Sequence, residues 1–278
     1  MKSKRIALTV YLVIFFSCVW MCSDESNIYT PDSYETQIDK LSYQLKYPHI
    51  YAAVYSPYAV QLTEVATTEE TDTEEKMVYL TFDDGPSPRT AEILDILKKH
   101  DVKATFFVVK AKDEYTPHLI RAVEEGHTIG VHSASHKYKE IYASVNAYLD
   151  DFTRCYNYIY DNTGYERTIF RFPGGSVNNY NASTRKEIAE EMTRRGYIYF
   201  DWNVESNDSS NNTGAQTIYN NVINGCKGKN RAVVIMHDAI NKKETVAALD
   251  NIITQLKADG WHFAPLTNEV RPVIFRMK

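Results

Sequence analysis

Positive charge is in short supply. Lys and Arg together number 31 against 36 Asp and Glu, a formal net charge of −5. No basic stripe interrupts that balance, which argues against a nucleic-acid partner. Cysteine is scarcer still. Of four, Cys18 and Cys22 fall in an apolar N-terminal run, leaving Cys155 and Cys226. Export would permit a disulfide, but both lie on expected helices separated by a further strand–helix unit, so two small buried thiols are favoured. There is no internal repeat beyond an alternation of strands and helices.

The one long apolar run, Ile6 to Cys22, follows Lys2, Lys4 and Arg5. It exceeds a signal h-region of about 7–15 residues and barely reaches the ~18 of a spanning helix. No Ala-x-Ala site follows, and Trp20-Met21-Cys22 is a poor acylation box. Residues 1–22 therefore read as a signal peptide or N-terminal membrane anchor, with cleavage, retention and lipidation of Cys22 all open. Each places the remaining chain at the cell surface or in the extracellular space, with membrane contact only through this segment. Residues 23–76 read as a spacer, because Thr67 to Glu75 is an acidic, Thr-rich tract with nothing to bury. Tyr43 to Tyr58 fits a short structured arm or more spacer. Tyr is abundant, at 21 residues, a count compatible with sugar stacking and with compositional drift.

From Met77 the pattern becomes regular, marking residues 77–278 as the folded domain. Apolar runs at Val78–Phe82, Ala104–Val109, Thr128–Val131, Ile169–Phe172, Ile198–Phe200, Ala232–Met236 and His262–Leu266 predict strands. Helical segments fall between them at Arg89–Lys99, Thr116–Glu125, Val145–Asn162, Thr184–Arg195, Ala215–Asn224 and Thr245–Asp259. Gly126, Gly164, Gly196 and Gly260 follow helices as left-handed stops. The alternation predicts an α/β fold built on a parallel sheet.

The chemistry sits at the carboxyl ends of these strands. Tyr79-Leu80-Thr81-Phe82-Asp83-Asp84-Gly85-Pro86 ends in two adjacent carboxylates, a crowding that is tolerable if one binds a metal and the other takes a proton. His132-Ser133-Ala134-Ser135-His136 adds two imidazoles at i, i+4. One Asp with two His is a metal set that leaves positions open for water and substrate. Arg171, Asp201 and His237 lie at further strand ends, the face on which parallel barrels build active sites. Taken singly, the Asp pair reads better as a helix N-cap and each His as a core residue; the clustering favours an enzyme. His127 and His262 read as structural.

With these residues in place, the chain resembles the polysaccharide deacetylase family, the NodB-homology or carbohydrate esterase 4 group. Five segments match in order: Thr81 to Asp84, His132 to His136, Arg171-Phe172-Pro173, Asp201-Trp202 and Ile235-Met236-His237. The resemblance implies a distorted (β/α) barrel with about seven parallel strands. It implies a divalent metal on Asp84, His132 and His136, Zn2+ by ligand type, with Co2+ or Mn2+ fitting the same set. It makes Asp83 the general base, held by Arg171, and His237 the acid that protonates the departing amine, with Asp201 fixing its tautomer. The oxyanion would meet a backbone N–H near Gly174. Pro173, Trp202 and Ile235 would line the substrate pocket, and Ser133 would support the histidine loop.

One departure stands out. The family's third motif commonly reads Arg-x-Pro-Tyr, whereas Pro173 is followed by Gly174-Gly175-Ser176. A wall of the groove is missing, and the Asn-, Asp- and Ser-rich loop Ser206–Gly214 is expected to rebuild part of it. The resemblance implies removal of N-acetyl groups from an N-acetylated polysaccharide, with peptidoglycan leading and chitin oligomers, poly-N-acetylglucosamine and acetyl-xylan behind. The competing readings are a non-catalytic carbohydrate-binding protein, which predicts gaps in the ligand set, and non-haem iron oxygenation, whose sites lack the adjacent base. The chain is treated as a monomer.

Overall fold

The computed structural model describes residues 75–166, 168–210 and 213–277. The N-terminal signal or anchor, Cys18, Cys22 and almost all of the 23–76 spacer lie outside the described residues. Among those described, no helix is long and apolar enough to cross a membrane.

Strand β1 (Lys76–Asp83) is buried over its last six residues, on both faces. That burial is what a parallel strand covered by helices on one side and filled by side chains on the other requires. It pairs in parallel with β7 (Arg231–His237) along its whole length. On its other side it pairs with β2 (Thr105–Val109) near its carboxyl end and with β8 (Trp261–Phe263) near its start. β3 (Thr128–Ser133), β4 (Ile169–Phe170) and β5 (Ile198–Tyr199) continue outward from β2. β6 (Val204–Glu205) pairs with β7. The sheet order is thus β5-β4-β3-β2-β1-β7-β6, all parallel, with β8 alongside β1.

β5 and β6 belong to one run of chain that leaves β4 and crosses to β7, so the eight strands form seven runs of a curled, distorted barrel, as expected. The C-terminal segment enters the seam between them, where Asp201 N–H donates to the Val273 carbonyl, while Asn203 N–H donates to the Val233 carbonyl of β7. The short β6 is absent from the strands read from sequence, because two residues of alternation give no period to detect.

The helices are α1 (Thr90–Lys99), α2 (Thr116–Glu124), α3 (Tyr138–Ile141), α4 (Val145–Thr163), α5 (Arg185–Arg194), α6 (Ala215–Cys226) and α7 (Lys243–Ala258). Six match the sequence reading within two residues at each end; the one-turn α3 is new. α4 starts on Ser144, whose side chain accepts from Ala147 N–H, and stops on Gly164 at φ 64°. Gly126, Gly196 and Gly260 end their helices with the same left-handed turn.

α4 fixes the deep core on the β4 side. Tyr148 and Phe152 meet Phe170, Phe172 and Tyr197 with ring centroids 4.9–6.5 Å apart, the offset and edge-on packings aromatic quadrupoles prefer. Cys155 and Cys226 are free and buried, with the Cys155 thiol donating to the Val108 carbonyl. His127 is buried and its Nδ1 accepts from Ala104 N–H, a core role; His262 is exposed on β8.

Candidate active site

Asp83 is the last residue of β1, and its carbonyl accepts from Asp238 N–H on the neighbouring β7 side. Strand pairing therefore continues through Asp83, and the chain turns out of the sheet at Asp84, which takes φ 75°. A left-handed backbone at a non-glycine residue costs free energy that packing must supply. The packing is visible. A Cβ on Gly85 would lie 2.3 Å from Asp238 Oδ2, so the turn rests directly on that carboxylate. Asp238 in turn accepts from Ser87 Oγ at 2.6 Å and Thr90 Oγ1 at 2.5 Å.

Asp84 meets the two histidines. Its Oδ1 lies 3.5 Å from His132 Nε2 and 3.2 Å from His136 Nε2, and the three donor atoms are within 4.8 Å of one another. His132, on β3, is buried, and its Nδ1 faces the Arg171 carbonyl at 2.8 Å. A carbonyl only accepts, so Nδ1 carries the proton and Nε2 presents a lone pair. Burial, with the neighbouring His136, pushes the His132 pKa down to about 3, so the ring is neutral near pH 7. Asp84 Oδ1 is buried and has no hydrogen-bond partner among the described residues. Lone pairs of a carboxylate and of an imidazole thus face each other with no proton between them, an arrangement a divalent cation would relieve. The donor set fits such an ion. The Asp84 and His136 side chains are 25% and 32% exposed, so the cluster is open on one side.

The histidine loop is held by a residue the sequence reading overlooked. Asp151, on α4 and buried, accepts from Ser133 Oγ at 2.5 Å, Ala134 N–H at 2.8 Å and Ser135 N–H at 3.0 Å. Ser133 Oγ then accepts from His136 N–H at 2.8 Å. This chain of bonds holds His136 at φ 53° and gives Ser133 its supporting place.

Asp83 sits beneath the cluster. Its Oδ1 accepts from Arg171 Nη1 at 2.9 Å, and its Oδ2 lies 3.9 Å from His132 Nε2. Burial raises its pKa, opposed by the charges of Arg171 and His237. Arg171 is fully buried just past β4. It donates to Thr81 Oγ1 and to the Phe200 and Asp201 carbonyls, and its guanidinium lies 4.3 Å from the Phe107 ring centroid. So large a set of partners satisfies a buried cation and fixes the plane it offers to Asp83.

His237, the last residue of β7, lies opposite Asp83 in the register. Its partner corrects the expectation placed on Asp201. His237 Nδ1 bonds Asp208 Oδ1 at 2.7 Å, and His237 N–H donates to Asp208 Oδ2 at 2.8 Å. Asp201 instead accepts from Ser176 Oγ and N–H and from Phe275 N–H. The reason is topological: β6 is the neighbour of β7, so the residues just after β6 reach His237, whereas Asp201 lies on the seam before it. The Ser206–Gly214 loop, expected as a groove wall, thus delivers Asp208. Burial works against a charged His237, but the Asp208 bond and charge prevail, with Asp83 and Asp84 adding to them, and raise its pKa to about 8.

The proposed pocket residues are less uniform. Trp202 is half-buried, lies 5.7 Å from the Arg171 guanidinium and meets Phe275 edge-on at 4.8 Å. Ile235 is buried on β7, two residues before His237 and on the same face by strand alternation. Pro173 is buried, its carbonyl accepting from Tyr142 Oη and Asn178 Nδ2. Gly174 takes φ 74° and is exposed. Its N–H makes no hydrogen bond among the described residues, which leaves it available as a donor.

Comparisons with known proteins agree with this geometry. A family model described as polysaccharide deacetylase matches residues 70–195. A peptidoglycan-N-acetylglucosamine deacetylase of Bacillus cereus is 33% identical over 210 residues, 73% of this chain and 74% of that protein. The crystal structure of the catalytic domain of a peptidoglycan N-acetylglucosamine deacetylase from Eubacterium rectale superimposes with a TM-score of 0.70 at 38% identity, covering 73% of this chain and 94% of that one. A polysaccharide deacetylase of Bacillus cereus gives 0.64 at 31% identity, covering 72% and 96%. On motifs, fold and site alike, the chain belongs to the polysaccharide deacetylase family.

Proposed function

We propose that this chain removes N-acetyl groups from cell-wall peptidoglycan, outside the cytoplasm, with one divalent ion held by Asp84, His132 and His136. The convergence of those three donors, with Asp83 and His237 beside them, carries the reading. The oxygen and nitrogen donors suit zinc, and cobalt or manganese would also be accepted. When bound, the ion supplies Lewis-acid polarisation of the amide carbonyl and acidifies water.

The residues divide the remaining work. Asp83 takes the proton of the attacking water, held ionised and in plane by Arg171. Gly174 N–H donates to the oxygen on which charge develops. His237, protonated through its bond to Asp208, gives its proton to the departing amine, without which an amide nitrogen is a poor leaving group. Trp202 and Ile235 close the apolar side, where the acetyl methyl is received. The named peptidoglycan deacetylases among the relatives support this substrate, and the N-terminal Lys2 to Cys22 pattern supports export.

The test is acetate release from purified peptidoglycan. The wild type releases acetate, a chelator stops it, and Asp83→Asn lowers the rate by about 10²–10⁴-fold, the range attributed to general base catalysis. Full activity in the presence of chelator would overturn the metal-dependent reading.

A further inference from the structure

Next to His136 the structure carries an aromatic surface that the hydrolytic residues do not use. The Tyr138 ring meets His136 edge-on at 5.2 Å and lies 5.1 Å from the Tyr180 ring, tilted by 38°. Tyr138 fills the space that a side chain at position 174 would occupy. A Cβ there would be 2.7 Å from Tyr138 Cε1 and 3.2 Å from its Oη. The glycine and the tyrosine therefore form one unit, in which a ring delivered by α3 stands where the β4 loop has none.

Tyr180 extends this surface outward and is 51% exposed, so one face of its ring is open to a ligand. The loop that presents it is rigid. Asn178 Nδ2 donates to the Pro173 and Gly175 carbonyls, while its Oδ1 accepts from Tyr180 and Asn181 N–H. Asn181 Nδ2 donates back to the Gly175 and Ser176 carbonyls. These bonds hold the backbone that presents the ring, while the ring itself stays exposed. Tyr138 Oη, half-buried, makes no hydrogen bond among the described residues. It is a polar tip beside Gly174 and close to His136, at the border of the site.

We propose that Tyr138 and Tyr180 form a sugar-binding subsite. The pyranose ring next to the acetylated sugar packs its C–H face on Tyr180, and Tyr138 Oη donates to a hydroxyl or acetamido oxygen of the sugar being processed. The subsite rests on the deacetylase reading and adds to it a preference for chains over single sugars. Flat rings with polar tips suit such a ligand, whose faces are apolar and whose edges are hydroxylated.

The test uses the full metal-loaded chain with the N-acetylglucosamine tetramer and the monomer as probes. Tyr180→Ala raises KM for the tetramer by about tenfold, equivalent to ~1.4 kcal/mol, with kcat and bound metal kept. Tyr180→Trp, which keeps a ring, restores KM, and Tyr138→Phe weakens both probes by losing the hydroxyl. A tetramer KM in Tyr180→Ala within about twofold of wild type, below 0.5 kcal/mol, would overturn the proposal, as would a failure of Trp to rescue. Should the wild type release no acetate from the tetramer, the deacetylase reading falls only if purified peptidoglycan yields none either. Tetramer binding followed by saturation-transfer NMR then decides separately: Tyr180-dependent binding upholds the subsite, and absent or Tyr180-independent binding overturns it.

Discussion

At the scale of single residues, the site is a set of charges, each held by a specific partner. His237 and Asp208 show the consequence most directly. The Asp208 carboxylate, bonded through Oδ1 to the ring and through Oδ2 to Thr245 Oγ1, raises the His237 pKa to about 8. A raised pKa means the imidazolium persists below that value and is lost as pH rises through it. Activity that needs a proton donor therefore declines on the alkaline side. Asp208→Asn removes the charge that raises the pKa, so the alkaline limb moves to lower pH and kcat falls about 10–100-fold, the scale at which outer partners of a working histidine act. Asp201→Asn leaves the limb where it is, since Asp201 does not touch His237. A pH–rate profile of the two variants distinguishes them. The role of Asp151 gives a second prediction. Asp151→Asn replaces one of the two accepting oxygens by an amide NH2 and removes the charge, so one loop N–H loses its acceptor, and metal affinity falls about 10–100-fold in a protein that still folds. Titration with the metal alone reads it out; an unchanged affinity would show that the loop holds itself.

At the scale of elements, the aromatic face of α4 does most to anchor the β4 side of the barrel. Phe152 is buried among Tyr148, Tyr156, Phe170 and Tyr197. Phe152→Ala leaves a cavity and lowers the unfolding free energy by about 3–5 kcal/mol, measurable by denaturant titration. The elements also show where reading from sequence works. Asp84, His132 and His136 were legible because each stands next to a strong apolar strand whose carboxyl end fixes its position. Arg171 was legible for the same reason, though its contacts with Phe107 and Thr81 were not. Asp208 was hidden because it lies in a polar loop after a two-residue strand, and only the pairing of β6 with β7 brings it to His237. Asp151 and Asp238 were hidden too. Each serves backbone or hydroxyl groups of a distant turn, and a lone acid on a helix or past a strand reads as solvated. Tyr138 escaped notice because a single helical turn carries no periodicity.

At the scale of the whole molecule, the barrel is completed by chain outside the regular strand–helix alternation. The segment around Val273 to Phe275 fills the seam between β5 and β6, bonding Asp201 through both its backbone and its side chain. Phe275 also packs on Trp202. Phe275→Ala removes that edge-on contact and loosens the seam. A domain of this size loses roughly 2–4 °C of Tm per kcal/mol, so the melting temperature drops by several degrees, together with a rise in KM as Trp202 loses its support. A thermal scan of the two proteins checks the first effect, and acetate release over a range of glycan concentrations checks the second.

The arrangement as a whole stands on three donors sharing one ion while the adjacent carboxylate stays free to take a proton. Metal content per chain, measured by mass spectrometry on purified wild type and variants, tests this most directly. The account predicts one divalent ion in wild type and in Asp83→Asn, and its loss in Asp84→Asn, His132→Ala and His136→Ala. Retention of the ion in those three variants, or its loss in Asp83→Asn alone, would contradict it.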